Sequence, residues 1–118
     1  MHKQKEVTKK FDIIFLEDAV GFLDELEEKA RDKVIYNIRK AQVINDNELF
    51  KKLVDDIWEF RTLYKRAYYR VFAFWDKKDN TETLVVATHG IIKKTGKTPP
   101  SEIEKAKRIR DWYFKNKE

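Results

Sequence analysis

Arg70, His89 and a run of lysines are the residues of this chain whose types and spacing could do chemistry on a negatively charged substrate. Arg70 interrupts the apolar run YYRVFAFWD, and a buried guanidinium, which cannot lose its charge, needs a carboxylate or a phosphate as its partner. His89 ends the run ETLVVATH and precedes Gly90, which would let a ligand backbone approach. An imidazole with a pKa near ~6.5 can act as a general acid or base at neutral pH. The basic run that follows contains Lys93, Lys94 and Lys97.

Each of these residues also has a purely structural interpretation. Arg70 could pair with Glu59 or Asp76, and His89 could bond to a backbone carbonyl at the end of its strand. Any one lysine is more often a solvated side chain than a binding residue. The cluster carries more weight, because cations interleaved with aromatic rings suit single-stranded RNA through phosphate pairing and base stacking. The neighbouring residues of this kind are Arg61, Tyr64, Tyr68 and Tyr69.

The charge distribution favours a polyanionic partner. The net charge is +5, but residues 61–118 carry 15 Lys and Arg against 7 Asp and Glu, whereas residues 1–60 carry 11 against 14. A basic half on a folded domain is typical of nucleic-acid binding. A solvated surface that happens to be basic explains the same counts equally well.

Composition excludes several classes of protein. The 118 residues suffice for one domain, 1–118, with a real core. Cysteine is absent, which excludes disulfides and thiolate chemistry. Because no apolar run reaches the roughly 20 residues of a membrane span and MHKQKEVTKKF lacks the apolar segment of a signal peptide, we expect a cytoplasmic protein with no membrane partner. Glycine-rich phosphate loops, HExxH, GxSxG and metal-ligand spacings are missing, so we expect no cofactor and no metal.

The pattern of apolar residues predicts an α+β domain with the order β-α-α-β-β-β-α. Residues 1–9 are polar and expected to be flexible, and residues 10–16 form a strand. Helices over about 17–30 and 30–44 are joined so closely that they should form a hairpin on one face of the sheet. Three runs between residues 57 and 89 predict an antiparallel meander. Residues 48–56 fit either a helical turn or a loop.

Alternation and capping signals refine this prediction. On the middle strand of the meander, Arg70 shares a face with Phe72 and Phe74, and on the last strand Val85, Ala87 and His89 are expected to share one face. The segment 101–104, SEIE, fits a capping box at the start of a helix that runs to about residue 115.

These motifs resemble a known family. IWEFR, YYRVF and HGIIKKTGKTP, followed by a helix with EIxxA, resemble the RelE/ParE superfamily of toxins from type II toxin–antitoxin pairs, and most of all its phage-derived HigB-like branch. The resemblance spans about residues 11–112, and KKTxKTP after the last strand is its most specific part. It implies an antiparallel-dominated sheet with an N-terminal helical hairpin and a C-terminal helix.

The resemblance also implies an activity and partners. It implies a ribosome-dependent endoribonuclease that cuts mRNA on the 70S ribosome by attack of the 2′-hydroxyl on the adjacent phosphate, without a metal. A cognate antitoxin, usually a helix-turn-helix DNA-binding protein, would accompany it. Arg70 matches the strand arginine that would hold the phosphate and offset charge in the transition state.

Other site residues are carried over from the same resemblance. His89 and Lys94 would complete the catalytic set, since Trp58-Glu59-Phe60 stand where some relatives have lysines. Contacts to RNA and phosphate would fall to Arg61, Tyr64, Tyr68, Lys93 and Lys97. The same fold also serves ParE-like inhibitors of DNA gyrase that lack nuclease chemistry, and an inactive phage-derived protein that binds RNA or an antitoxin remains a third hypothesis.

Overall fold

The computed structural model describes residues 8–78 and 81–117, so residues 1–7 of the segment expected to be flexible lie outside it. The elements are β1 (Asp12–Phe15), α1 (Glu17–Glu25), α2 (Glu28–Ala41), β2 (Phe50–Val54), β3 (Ile57–Tyr64), β4 (Ala67–Lys78), β5 (Thr81–Lys93) and α3 (Pro100–Asn116). The strands form one sheet in the order β1-β5-β4-β3-β2. The β1–β5 pair is parallel and the other pairs are antiparallel. The predicted α+β class with an antiparallel-dominated sheet is confirmed.

The helical hairpin covers one face of the sheet, called here the hairpin face. Buried residues at helical spacing on α1 and α2, such as Leu23 and Ile38, form one apolar cluster with Val71, Ala73 and Val85 of the sheet. The predicted hairpin is therefore confirmed, although α1 ends at Glu25 because Leu26 and Glu27 adopt extended backbone. Burial of each large side chain stabilises this layer by about 1.5–3 kcal/mol.

Helix α3 covers the opposite face, called here the α3 face. Its Ala106 packs on Phe72, Phe74 and Val86, and the Tyr113 hydroxyl donates a 2.7 Å hydrogen bond to Asp76. The predicted capping box is wrong: the helix begins at Pro100, and its N-cap residue makes no side-chain hydrogen bond. A proline suits the first helical position because the N–H that it lacks would have no partner there.

Strand β2 is a fifth strand that the sequence pattern did not predict. It lies at the edge of the sheet, and its register with β3 shifts between Lys52 and Val54. An irregular edge strand loses the strict alternation that identifies a strand in sequence. The order is therefore β-α-α-β-β-β-β-α, not the predicted β-α-α-β-β-β-α.

A bulge in β5 changes which face His89 occupies. Phe72 of β4 pairs with His89, but Ala73 pairs with Ala87, so Thr88 is the extra residue. Val85 and Ala87 lie in the core of the hairpin face, whereas the His89 ring stacks on Phe72 of the α3 face. The prediction that these three residues share a face is wrong, because one inserted residue reverses the alternation beyond it.

The β3–β4 turn places two cations at one end of the sheet. Lys65 and Arg66 both have positive φ, at 49° and 66°. A two-residue hairpin turn that matches the twist of its strands requires such angles, although Asn and Gly are the usual residues there.

None of the described helices is long and apolar enough to span a membrane.

Candidate anion-binding site

Arg70 lies at the centre of a polar cluster on the α3 face. It is 1% exposed, with its Nε 3.5 Å from the Glu59 Oε2 and its Nη2 donating to the Gly96 carbonyl at 3.4 Å. The guanidinium carbon lies 5.2 Å from the centre of the Tyr68 ring. Of the two structural partners considered for Arg70, Glu59 is the one that forms an ion pair with it. The guanidinium is thus buried and held between a carboxylate, a carbonyl and an aromatic ring.

Two further cations lie beside Arg70. Arg61 is its cross-strand partner on β3. On β5, Arg70 pairs with Ile91, and Lys93, two residues further along on the same face, pairs with Tyr68. Like charges directly opposite each other repel, and here Glu59 lies between them, since its Oε2 is also 3.5 Å from the Arg61 Nε. Burial lowers the pKa of Lys93, and the charge of Arg70 lowers it further. One carboxylate therefore faces three cations.

These cations carry donors that make no hydrogen bond within the described residues, although the Nε atoms of Arg61 and Arg70 each form an ion pair with the Glu59 Oε2 at 3.5 Å. The Nε of Arg61, the Nε of Arg70 and the Nζ of Lys93 are buried, and none has a hydrogen-bond partner within residues 8–78 and 81–117. A buried donor without an acceptor costs roughly 1–3 kcal/mol, and more when it is charged. Such groups are uncommon in folded proteins. An oxyanion bound in this cluster would accept hydrogen bonds from these donors and add negative charge that Glu59 alone does not supply.

Glu59 and Thr98 hold the cluster in place. Glu59 is 3% exposed, and its Oε1 accepts a 2.9 Å hydrogen bond from the Thr98 hydroxyl, which ties the loop before α3 to β3. The sequence indicated Glu59 only as a possible partner of Arg70, and Thr98 was not among the predicted site residues, although it lies in the KKTxKTP motif. Alternation along β3 was the available signal for Glu59, because it places this residue and Arg61 on the same face.

His89 shares this face but is not exposed. Phe72 pairs with His89, and Arg70 precedes Phe72 by two residues. Arg70 and His89 are therefore diagonal neighbours on adjacent strands, and we expect their Cα atoms to lie roughly 7–8 Å apart. The His89 Nε2 lies 3.0 Å from a Glu102 carboxylate oxygen and its Nδ1 lies 3.0 Å from the Thr88 hydroxyl. Burial lowers the pKa of His89, whereas the hydrogen bond between its Nε2 and the Glu102 carboxylate acts in the opposite direction. Because the pKa is lowered overall, the ring is neutral at pH 7.

Gly90 does not provide the ligand approach expected beside His89. A Cβ atom at this position would overlap the side chain of Phe22 on α1. The glycine is therefore needed for close packing of α1 on β5. That expectation is wrong, since the open space beside a glycine is filled here by the protein itself.

The remaining sequence candidates lie around the cluster or away from it. Lys94 and Lys97 are exposed in the loop between β5 and α3, whose Gly96 and Thr98 contact Arg70 and Glu59. Tyr64 is paired with Ala67, which puts it on the hairpin face, where it lines a groove with α2. Of the predicted residues, the structure brings together Arg61, Tyr68, Arg70 and Lys93. The described residues include no group of three or more His, Asp or Glu side chains that could hold a metal ion.

The sequence profile of the family described as phage-derived protein Gp49-like (DUF891) matches residues 21–111. The match includes all of β2 to β5 and most of α3, so it covers every residue of the cluster just described. No curated protein sequence is significantly similar to the chain. The chain belongs to the phage-derived Gp49-like family, a toxin family of RelE-like type from toxin–antitoxin pairs.

Proposed function

We propose that this chain is the toxin of a type II toxin–antitoxin pair, of the HigB-like branch, and that it cleaves mRNA on the ribosome. The observation that carries the proposal is the cluster of Arg61, Arg70 and Lys93, whose buried donors make no hydrogen bond among the described residues. A phosphodiester group offers the oxyanion that such donors require. The single carboxylate of Glu59 balances only part of the charge, so the site favours a bound anion.

The proposed reaction is an attack of the RNA 2′-hydroxyl on the adjacent phosphorus. A bond forms between the 2′-oxygen and phosphorus and the bond to the 5′-oxygen breaks, which leaves a 2′,3′-cyclic phosphate and a 5′-hydroxyl. The 2′-hydroxyl loses its proton to a base, and the departing 5′-oxygen gains one. Arg70, with Arg61 and Lys93, would stabilise the negative charge that develops on the non-bridging oxygens.

His89 and Lys94 are the groups proposed to move the protons. His89 is kept neutral by burial and could accept a proton, provided that Glu102 on the first turn of α3 releases its Nε2. Lys94, in the exposed loop, would approach the 5′-oxygen. Lys97 and the Tyr68 ring would contact the neighbouring phosphate and base, and Tyr64, on the opposite face, would contact RNA only outside the cleavage site.

The test is primer extension on a defined mRNA, bound to programmed 70S ribosomes or free, after incubation with the purified protein. We expect cuts in the A-site codon of bound mRNA and none in free mRNA. Arg70→Gln should reduce cleavage by about 10²–10³-fold, as expected when a donor to a developing oxyanion is lost. Arg108→Gln, at an exposed position on α3, is the matched control and should cut normally.

Two results would contradict the proposal. A folded Arg70→Gln protein with full activity would remove Arg70 from the catalytic set. A folded wild-type protein that stops growth without cutting mRNA would favour the gyrase alternative, which a DNA supercoiling assay measures directly. The cognate antitoxin, proposed to be a helix-turn-helix protein in the same cytoplasm, should suppress growth arrest in either case.

A further inference from the structure

Two adjoining grooves open at the end of the sheet opposite the cationic cluster. One has a volume of about 430 Å³ and the other about 350 Å³, and Trp58 and Trp75 line both. Both volumes fall in the range of roughly 300–1,000 Å³ that is usual for small-ligand sites. The first groove also contains Lys52, Lys77 and Phe114. These grooves are separate from the residues used in the proposed reaction.

Strand register and alternation place the aromatic and basic side chains on one face of the sheet. Lys52 pairs with Trp58 across β2 and β3, and Trp58 pairs with Ala73 of β4. Trp75 and Lys77 follow Ala73 by two and four residues, so they lie on the same face. Trp75 is five residues beyond Arg70, which is roughly 17 Å along a strand, and Arg70 faces the other side of the sheet. The grooves and the cationic cluster are therefore distinct sites.

The indole N–H of Trp75 is not explained by packing. The ring contacts Phe11 edge-on at 5.3 Å and Trp58 edge-on at 6.1 Å, which accounts for its apolar surface. Its Nε1, however, is buried without a hydrogen-bond partner among the described residues, whereas a buried tryptophan N–H normally has one. An acceptor on a bound ligand would satisfy this donor.

The charges around the grooves favour an anionic ligand. Asp56, the carboxylate in the larger groove, is already paired with Arg110 of α3. The smaller groove is lined by one cation, Lys10, and one carboxylate, Asp46, which accepts a hydrogen bond from the Glu48 backbone N–H. Lys52 and Lys77 are exposed and form no ion pair within the described part of the chain. An apolar peptide would leave these two ammonium groups unused. A nucleotide offers a planar base for the indole rings, acceptor atoms for Nε1 and a phosphate for the lysines.

We propose that Lys52, Trp58, Trp75 and Lys77 form a second RNA-binding site that takes a nucleotide of single-stranded RNA away from the point of cleavage. The choice of RNA as the ligand rests on the proposed function, whereas the site itself rests on the geometry above. The base contacts the indole rings and accepts a hydrogen bond from Trp75, and the phosphate pairs with the lysines.

The test uses tryptophan fluorescence with an oligoadenylate octamer and with adenosine 5′-monophosphate as probes. The chain has three tryptophans, so Trp112→Phe, at an exposed position, leaves only the two that line the grooves. In this background we expect saturable quenching that weakens as salt is raised. The double variant Lys52→Ala with Lys77→Ala should weaken binding about tenfold. Trp75→Phe keeps an aromatic ring but removes the N–H, and it should weaken binding several-fold.

Matched variants make the outcome decisive. Lys29→Ala with Lys40→Ala, on exposed positions of α2, should leave the quenching unchanged. Absence of saturable quenching, or quenching that persists in the Lys52 and Lys77 double variant, would overturn the second site. If saturable quenching occurs in the Trp112→Phe background but the wild-type protein cuts no mRNA, the second site stands and the proposed nuclease is refuted. If the wild-type protein cuts mRNA but no saturable quenching occurs, the nuclease stands and the second site is refuted.

Discussion

Replacing Glu59 by glutamine tests whether the cationic cluster is an anion site. Glutamine keeps the size of the side chain and an oxygen that accepts from Thr98, but it removes the negative charge that faces Arg61 and Arg70. Breaking a buried ion pair by removing one partner costs roughly 3–5 kcal/mol. The Arg61 side chain is 26% exposed and keeps part of its hydration. We therefore expect the loss of unfolding free energy to lie at the lower end of this range, about 3 kcal/mol.

Urea unfolding with and without inorganic phosphate measures this effect. With a slope of roughly 1–3 kcal/mol per M urea for a small domain, the variant should unfold at a midpoint lower by about 1–3 M. Phosphate should then replace the lost carboxylate, and about 100-fold excess over its dissociation constant would restore roughly 2.7 kcal/mol. The comparison is made against chloride at equal ionic strength, because phosphate also stabilises proteins by exclusion from their surfaces.

Glu48→Gln, at an exposed position, is the matched control and should change stability by less than about 0.5 kcal/mol. Phosphate should stabilise Glu59→Gln more than this control, and the extra stabilisation should disappear when Arg70→Gln is added. A loss of stability below about 1 kcal/mol for Glu59→Gln, or equal effects of phosphate on both variants, would refute the reasoning that these cations form an anion site.

Two further predictions concern packing and pH. Gly21→Ala should stabilise the protein by about 0.4–1 kcal/mol, because nothing lies within 4 Å of the added Cβ. Gly90→Ala should destabilise it by roughly 1–3 kcal/mol, because the added Cβ would overlap Phe22. Thermal unfolding of both variants measures the difference, and equal effects on stability would contradict the prediction. Burial lowers the pKa of His89 despite its hydrogen bond to Glu102, which raises it, so the unfolded chain binds the proton first as the pH falls below about 6.5. The free energy of unfolding should therefore decrease from about pH 7 to pH 5, and urea titrations of His89→Gln should show a weaker decrease. Parallel pH profiles for the variant and wild type would exclude His89 as the cause.

Part of the candidate site was predictable from local pattern. Arg70 was identified because a charge inside an apolar run requires a partner, and the face that it shares with Phe72 follows from simple alternation along a regular strand. Arg61 and Lys93 were identified from composition, but their proximity to Arg70 depends on strand pairing. Glu59 was noted only as one possible partner, since a single chain does not state which carboxylate reaches a given guanidinium.

Hydrophobic period and composition over short windows are enough to predict the α+β class, the helical hairpin, the meander and the basic second half of the chain. The edge strand β2, the start of α3 at Pro100 and the face on which His89 lies depend instead on contacts between distant parts of the chain. The bulge at Thr88 arises from the pairing of β5 with β4, and one extra residue reverses every side chain beyond it. Cross-strand register also places Arg61, Arg70 and Lys93 around Glu59, and register is a property of the folded sheet that no single strand carries.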